Sequence, residues 1–419
     1  MITRLRAAPI RRRTLLKSAL ALGAARLGGP FILSARGETP VGIGLVTPLT
    51  GPYAALGRNE QLGAEYAVDQ LNAAGGILGR PVALRVEDST SGEVSVAVRQ
   101  TAKLIGHDKV SFMLGNVNSA LSLAMSQKTN ELRTLHIVTG GHIDALTGAE
   151  CHWNVFRTCS TTQMEANAVA AVLIRKYGRK WYYITPDYSF GHALQAGLER
   201  AASRLGGITL GAELTPLGTS DFSAALTKAA AARPDVLILL TAGDDSVNAL
   251  KQAVERGLHR KLHIAGALQE LEVLDGLPPE ARIGTWVFEW YWNQPDIAEV
   301  AAFVDGIAKK TGKMPTARTW FGFVAAMSCG LIANQEQTLD AVKLARALAG
   351  FKLPPEVALT PGAPFYRAED HQLIAPLFVG EAQAKGSAPE DLFKVAAVVE
   401  GADVAAPPAK TGCRLAWPA

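Results

Sequence analysis

The sequence predicts an α/β protein made of two lobes, each built on a largely parallel β-sheet. Short apolar runs typical of buried strands alternate with amphipathic helical patterns along most of the chain. This alternation begins a second time after the segment Phe156–Thr158. Removal of an expected leader of 37 residues would leave 382 residues, more than one compact core usually holds. We therefore expect two Rossmann-like lobes.

The first strand–helix–strand unit lies between Val41 and Asp88. It begins with the apolar run Val41–Val46, which predicts a buried strand. The helix that follows has apolar residues at i, i+3, i+4 and i+7 between Ala64 and Leu71. Gly75 and Gly76 end this helix, and alternating apolar residues predict a strand over 82–88. No G-x-G-x-x-G motif follows the first strand, so the unit does not indicate a dinucleotide site.

The later elements follow the same two patterns. The predicted strands lie at 110–114, 135–138, 181–185, 236–241, 262–265 and 286–292. The predicted helices lie at 94–105, from Gly191, from Ser246, and at about 297–311, 319–335 and 338–349. Residues 357–371 are rich in turn-forming residues, and the Ala/Pro-rich tail 401–419 predicts an extended segment.

The opening of the chain also carries a family resemblance. It reads TGPYAALG and then GAEYAVDQLNAAGGILGRPVALRVEDS. This resembles the branched-chain amino-acid type of substrate-binding protein, the periplasmic receptors of ABC importers, and the resemblance extends to about residue 380. It implies the type I periplasmic binding protein fold, whose two lobes are joined by a three-segment hinge. The crossovers are then expected near Phe156, Phe288 and Pro361, with lobe 1 at 38–156 plus 289–360 and lobe 2 at 157–288 plus 361–419.

The resemblance also implies a function. Such a receptor closes around a small molecule and delivers it to an ABC permease in the inner membrane. We expect a monomer without a cofactor and without catalytic residues. Two other functions stay open: an exported enzyme whose active site assembles from scattered residues, and a ligand sensor that contacts a membrane receptor.

The first 37 residues resemble an export signal. Arg12–Lys17 matches the twin-arginine pattern, and Ala35–Gly37 offers small residues for cleavage after Gly37, although an ordinary Sec signal is the alternative. We therefore expect a periplasmic protein. The leader holds eight of the 42 basic residues and no acid, so 34 basic and 38 acidic residues remain and the net charge becomes −4. This balance does not indicate nucleic-acid binding.

Four cysteines and eight histidines are present. The spacing of both residue types lacks the close motifs of metal sites, so we expect no metal. Cys329 falls in an apolar helical pattern and should be a buried free thiol. The resemblance implies a disulfide between Cys151 and Cys413, because similar receptors pair a cysteine before the first crossover with one in a Gly-Cys-x-Leu tail. The rival pair Cys151–Cys159 is close in sequence, but an extended segment would hold its Cα atoms roughly 20 Å apart.

Ligands of parallel α/β lobes bind at the carboxyl ends of the strands. Ser119 follows one predicted strand and is expected to cap the next helix, with Asn118 beside it. The resemblance gives Ser119 the role of holding a ligand carboxylate, and capping alone is the plain alternative. After the next strand, the family's carboxylate clamp falls on Gly140, Gly141 and His142. A histidine instead of a hydroxyl residue departs from the family pattern, and a surface-loop histidine is the alternative.

Aromatic residues are expected on both sides of the cleft. Tyr53 follows the first strand of lobe 1, and Tyr188 and Phe190 follow the first strand of lobe 2. The motif D-x-x-(Y/F)-G in similar receptors implies that Phe190 covers the ligand. Aromatic side chains just beyond strand ends are well placed to contact a ligand.

The amino-acid signature of the family is incomplete. The positions that hold an α-ammonium group in similar receptors fall on Ala242 and on Leu268 or Gln269, none of which is an acid. Glu270 is one or two residues out of register. A buried ammonium without a carboxylate partner would cost several kcal/mol. We therefore expect a small carboxylate that lacks an α-ammonium group, with aromatic acids among the candidates.

Overall fold

A computed structural model describes residues 39–294 and 297–418. The twin-arginine motif and the expected cleavage site therefore lie outside the described residues. Within the part of the chain that is described, no helix is both long enough and apolar enough to cross a bilayer.

The first sheet has five parallel strands in the order β2-β1-β3-β4-β5. The strands are β1 (Val41–Thr47), β2 (Val82–Asp88), β3 (Phe112–Leu114), β4 (Leu135–Val138) and β5 (Val155–Arg157). The helices between them are α1 (Ala54–Ala73), α2 (Val94–Gly106) and α3 (Ser119–Glu131). The inner strands are buried on both faces, which explains why their sequences are continuous apolar runs.

The second sheet repeats this organisation. Its parallel strands are β6 (Lys180–Pro186), β7 (Ile208–Thr215), β8 (Val236–Leu239), β9 (His263–Ala265) and β10 (Thr285–Phe288). Its helices are α4 (Thr162–Lys176), α5 (Ser189–Arg204), α6 (Ser223–Ala232), α7 (Gly243–Glu255) and α8 (Leu271–Asp275). Alternate residues of the strands enter two apolar clusters, one on each face of the sheet.

The chain then returns to the first core, the apolar cluster around the first sheet. The returning elements are α9 (Ala298–Thr311), α10 (Ala317–Glu336), α11 (Ala341–Leu348), α12 (Pro355–Ala358), β11 (Phe365–Tyr366) and β12 (Leu373–Ile374). The last elements complete the second sheet, whose order is β14-β13-β10-β9-β8-β6-β7 with the final two strands antiparallel. They are β13 (Leu377–Ala382), β14 (Phe393–Val399), α13 (Gly401–Val404) and α14 (Pro408–Thr411).

Several sequence expectations need correction. The strand expected over 286–292 ends at Phe288, because Trp290 enters the first core while Tyr291 enters a cluster of the second sheet. The tail after residue 401 is not simply extended, since α13 and α14 lie within it. The third crossover was expected near Pro361, but Tyr366 and Leu373 still lie in the first core, and the chain reaches the second sheet only at β13.

Two glycines bring α1 and α10 into close contact. A Cβ atom at Gly63 would lie 1.9 Å from the carbonyl oxygen of Thr319, and one at Gly322 would lie 2.0 Å from that of Glu60. Any larger residue would therefore push the two helices apart. Their close approach fixes the first turn of α10 against α1, and this places Arg318 at the carboxyl end of the first sheet.

The cysteines fall into one bridge and two buried thiols. Cys151 and Cys413, the pair implied by the family resemblance, form a disulfide with a Cα–Cα distance of 5.5 Å. The bridge ties the C-terminal tail to the loop before β5. Cys159 and Cys329 are free and buried.

Candidate functional site

Loops from the carboxyl ends of both sheets meet at one cleft. The hydroxyl oxygens of Tyr53, after β1, and Tyr188, after β6, are 2.5 Å apart. The Asp244 amide, at the start of α7, donates to the carbonyl of Pro52 over 3.1 Å. Burial, together with the neighbouring Tyr188, raises the pKa of Tyr53 well above its ordinary value. The two halves of the protein are therefore closed onto each other at this point.

Aromatic and aliphatic side chains form the mouth of the cleft. Phe190 lies with its ring centre 6.0 Å from that of Tyr188 and 5.8 Å from that of His142. Residues of both halves share one small apolar cluster here, and it comprises Tyr53, Leu56, Val117, Tyr188, Leu217 and Ala242. The expected aromatic residues thus do come together, and Ala242 lies beside them.

Ser119 is not the cap of α3, contrary to the sequence expectation. Asn118 is the N-cap residue, and its side-chain oxygen accepts hydrogen bonds from the amides of Ala120 at 2.8 Å and Leu121 at 3.3 Å. The extended backbone of Asn118 places its short side chain over these amides. Ser119 is the first residue of the helix, is buried, and accepts a 3.1 Å hydrogen bond from the His142 amide. Its own hydroxyl proton has no acceptor among the described residues.

Gly140 and Gly141 let other groups approach the backbone closely, and in the structure these groups are side chains of the protein itself. A Cβ atom at Gly140 would lie 2.1 Å from Nη1 of Arg318, and one at Gly141 would lie 2.5 Å from Oγ of Ser122. The Gly140 backbone is therefore in direct contact with a guanidinium group that the sequence analysis did not single out.

Arg318 is the centre of a buried ion-pair network. It lies in the first turn of α10 and is 2% exposed. Its Nε donates to Glu270 Oε1 over 2.7 Å, and its Nη1 lies 3.3 Å from Glu60 Oε1. Burial would lower the pKa of Arg318, but the two carboxyl groups outweigh burial and raise it. Burial raises the pKa of Glu60, although Arg318 and a 2.8 Å hydrogen bond from Thr47 oppose this shift.

Glu270 corrects the expectation that no acid faces the cleft. Leu268 is buried in the apolar cluster on one face of the second sheet, and Gln269 donates its amide to Val287 over 2.8 Å. The carboxyl group of Glu270 instead reaches Arg318 on the other side of the cleft. The acid is thus present two residues after Leu268, and its charge is already paired.

His142 is buried and is not a surface-loop residue. Its Nε2 is 2.8 Å from Glu289 Oε2 and 3.7 Å from Glu165 Oε1. Burial would raise the pKa of Glu289, but His142 and the Ser160 amide lower it below its ordinary value. Burial and the neighbouring Glu289 raise the pKa of Glu165 well above its ordinary value.

Several buried polar atoms in these loops have no hydrogen-bond partner among the described residues. They are Ser189 Oγ, Thr241 Oγ1, Gln269 Nε2 and Glu270 Oε2. Each belongs to a segment that follows a strand of the second sheet. These atoms can therefore bind polar groups of a small molecule held in the cleft.

A separate groove of about 370 Å³ runs along the outer edge where the two halves meet. Its lining includes Asn59, Glu272 and Thr316. The side chains of Asn59 and Thr316 donate to Glu272 Oε1 over 2.7 and 2.6 Å. Burial and the nearby Glu270 raise the pKa of Glu272 to about 7. None of the residues expected at the ligand site lines this groove.

Comparison with known proteins gives one family. The family model described as "Periplasmic binding protein" matches residues 40–387. A Leu/Ile/Val-binding protein of Rhizobium johnstonii is 34% identical to this chain. The match covers 46% of this chain and 53% of that relative's length. A Leu/Ile/Val-binding protein homolog of Brucella melitensis is 27% identical over 80% of this chain and 88% of its own length. A solute-binding protein from R. palustris, solved in complex with benzoate, has the same fold, with a TM-score of 0.78, 21% identity, and coverage of 90% and 100% of the two chains.

Proposed function

Because the chain belongs to the periplasmic binding protein family, we propose that it captures a small carboxylic acid in the inter-sheet cleft and delivers it to an ABC permease in the inner membrane. The family is one of substrate-binding receptors and not of enzymes, and its members act in the periplasm. The proposal includes a monomeric receptor with two lobes. One lobe comprises 39–156 and 289–374, the other comprises 157–288 and 375–405, and the tail up to Trp417 returns to the first lobe.

The arrangement of Arg318, Gly140 and Ser119 is the observation that supports a carboxylate as the ligand. The guanidinium lies against the backbone of Gly140, and the same loop is tied to Ser119 through the His142 amide. A guanidinium has five N–H donors in a fixed fork; Glu270 and Glu60 accept from some of those of Arg318, and the remaining N–H groups and the hydroxyl of Ser119 can serve a ligand carboxylate. Charge-assisted hydrogen bonds of this kind are stronger than neutral ones, particularly in a site closed to water.

The aromatic part of the proposal rests on Tyr53, Tyr188 and Phe190. Tyr188 and Phe190 belong to the half opposite the carboxylate-binding loops, and Tyr53, from the same half as these loops, meets Tyr188 across the cleft. A flat ring gains both apolar burial and favourable ring–ring contacts from such a wall. The R. palustris relative that binds benzoate has the same fold. We therefore propose a benzoate-like acid as the first compound to test.

An α-amino acid is the rival ligand, and one observation favours it. Glu270 Oε2 is buried and has no partner in the part of the chain that the structure describes, so it could accept a hydrogen bond from an ammonium group. Two relatives also carry the name Leu/Ile/Val-binding protein. Against this, Arg318 already neutralises Glu270, so the cleft does not require a ligand cation to balance this carboxylate.

The test compares three compounds by isothermal titration calorimetry: benzoate, leucine and 4-methylpentanoate. The last has the side chain of leucine but no ammonium group. We expect benzoate or 4-methylpentanoate to bind more tightly than leucine. Micromolar leucine binding without binding of 4-methylpentanoate would establish the rival ligand, and no binding of either acid would reject the carboxylate proposal.

The variant Ser119→Ala tests the clamp. Loss of a hydrogen bond to a charged group costs about 1.5–3 kcal/mol, which weakens Kd about 10- to 100-fold. Ser126→Ala is the matched control, because Ser126 is on the same helix and its buried hydroxyl bonds only locally, to the Leu123 carbonyl at 2.7 Å. Equal affinity of the two variants would remove Ser119 from the site.

Transport and sensing are separated by an uptake assay. Cells that lack the chain should lose uptake of the acid that the purified protein binds. Normal uptake together with a lost transcriptional or motility response would favour the sensor, and turnover of the bound acid would favour the enzyme.

A further inference from the structure

Four ligand-type side chains converge where the chain crosses between the two sheets. We call His142, Cys159, Glu165 and Glu289 the hinge cluster. His142 follows β4, Cys159 follows β5, Glu165 lies on α4 and Glu289 follows β10. Ligand atoms of His142, Cys159 and Glu289 all lie within 4.8 Å of one another. All four side chains are at most 4% exposed.

Glu165 gives an independent indication of a bound group. Its Oε1 lies 3.7 Å from Nε2 of His142, so its carboxyl group lies beside the imidazole of the cluster. Its Oε2 is buried and has no hydrogen-bond partner among the described residues. A buried carboxylate oxygen without a partner is costly unless it binds a proton, a polar group or a metal ion.

We propose that the hinge cluster is a binding site for one divalent transition-metal ion, with Zn²⁺ as the best match. One imidazole, one thiolate and two carboxylates are ligands that zinc accepts in tetrahedral sites. The inference does not depend on which molecule the cleft binds.

The geometry requires only small adjustments. Zinc bonds of about 2.0–2.3 Å place tetrahedral ligand atoms about 3.5 Å apart. The 2.8 Å pair between His142 and Glu289 must therefore widen, and the longer distances among His142, Cys159 and Glu289, up to 4.8 Å, must shorten by about 1 Å.

Ser160 holds both carboxylates in place. Its amide donates to Glu289 Oε1 over 2.5 Å, and its hydroxyl donates to Glu165 Oε1 over 2.8 Å. Partners that orient metal ligands in this way are a regular part of metal sites. Ser160 thus leaves Oε2 of Glu289 beside His142, and it leaves Oε2 of Glu165 without a partner among the described residues.

A metal ion here would act on the hinge. Glu165 belongs to a helix that packs on the second sheet, whereas His142 lies in the loop after β4 of the first sheet. Separation of the two halves would expose the cluster and let the ion enter. The bound ion would then link both halves at two crossovers, because Cys159 lies at the first and Glu289 at the second.

Two titrations of the purified, chelator-treated chain test the proposal. Zn²⁺ is titrated in the presence of a competing chelator, and Co²⁺ binding is followed by absorption spectroscopy. We expect one ion per chain, visible bands of tetrahedral Co²⁺, and a thiolate-to-cobalt charge-transfer band. Cys159→Ser should abolish that band and weaken Zn²⁺ at least about 100-fold, since even outer-shell changes cost 10- to 100-fold. Cys329→Ser is the matched control, because Cys329 is an equally buried thiol outside the cluster.

Glu289→Gln is the second variant, because it keeps the side-chain volume and an acceptor for the Ser160 amide. It should weaken Zn²⁺ while the fold, followed by circular dichroism, stays unchanged. Absence of one-to-one binding to the unaltered chain would overturn the proposal. Equal Zn²⁺ affinity of the Cys159→Ser and Cys329→Ser variants would also overturn it, because the ion would then bind elsewhere.

Discussion

Removal of the Arg318 charge is expected to destabilise the protein strongly. The substitution Arg318→Met keeps most of the side-chain stem but leaves Glu270 without its partner at 2.7 Å and Glu60 without its partner at 3.3 Å. All three side chains are at most 3% exposed, so water cannot replace the lost guanidinium. Loss of one member of a buried pair costs about 3–5 kcal/mol, because the remaining charge stays buried. We expect a loss of this size in the free energy of unfolding at pH 7.

The magnitude is measured by denaturant unfolding followed by fluorescence and circular dichroism. Lys310→Met is the matched control, because Lys310 pairs with Asp69 at 2.7 Å on the surface, where such a pair contributes less than about 1 kcal/mol. The double variant Arg318→Met/Glu270→Gln should recover part of the loss, since the uncompensated charge is also removed. If Arg318→Met costs no more than Lys310→Met, the buried network does not stabilise the closed form as we argue.

Three further predictions concern other parts of the fold. Burial raises the pKa of Glu272 to about 7 from an ordinary value near 4.5, so the folded state binds this proton more tightly than the unfolded state. The free energy of unfolding should therefore fall as the pH rises between these two values, by at most roughly 3 kcal/mol. Unfolding measured from pH 4 to 8 should show this decline, and Glu272→Gln should make it smaller, because Glu60 and Glu165, whose pKa values burial also raises, still contribute; parallel curves for both proteins would contradict the assignment. Replacement of both Cys151 and Cys413 by serine should lower the free energy of unfolding by about 2–5 kcal/mol, since the bridge spans 262 positions. Thermal unfolding should show a much smaller loss for Cys329→Ser. Asn118→Ala should lower stability by about 1 kcal/mol or more through loss of the α3 cap, and an unchanged midpoint would show that Ser119 can take over capping.

The fold could be predicted because its signals are local. The strand β1, the helix α1 and the strand β2 follow from apolar periodicity and a pair of glycines, and the structure places them within a few residues of the expectation. Periodicity fails where consecutive residues enter different cores. Trp290 and Tyr291 follow β10 with a strand-like alternation, yet each enters the core of a different sheet, so the strand ends earlier than its pattern suggests.

The candidate site could be predicted only in part. Tyr53, Tyr188, Phe190, Ser119 and the glycine loop lie just after strands, and the rule that ligands bind at strand ends finds such residues. Arg318 lies in the first turn of a long apolar helix, and no local pattern connects it with Glu270, 48 positions earlier. The same is true of the hinge cluster, whose members span residues 142 to 289. An arginine in an otherwise apolar helix was the one available signal, because such a residue needs a buried partner.

The contacts between the two sheets explain how a ligand and the closed form reinforce each other. Glu270 and Glu272 lie at the start of α8, which packs on the second sheet, and their partners Arg318, Asn59 and Thr316 belong to α1 and to the start of α10. Opening the cleft must break these contacts, so the chain itself favours closure before a ligand arrives.

The apparent Kd equals the intrinsic Kd divided by the closed fraction. Glu272 lies outside the ligand loops, so its substitution should weaken binding only as far as it lowers the closed fraction. Ser119→Ala, in contrast, should raise the intrinsic Kd. Disulfide trapping of the closed form should restore the affinity of a Glu272→Ala variant and should leave the Ser119→Ala variant weak; restoration of both would mean that Ser119 also acts through closure.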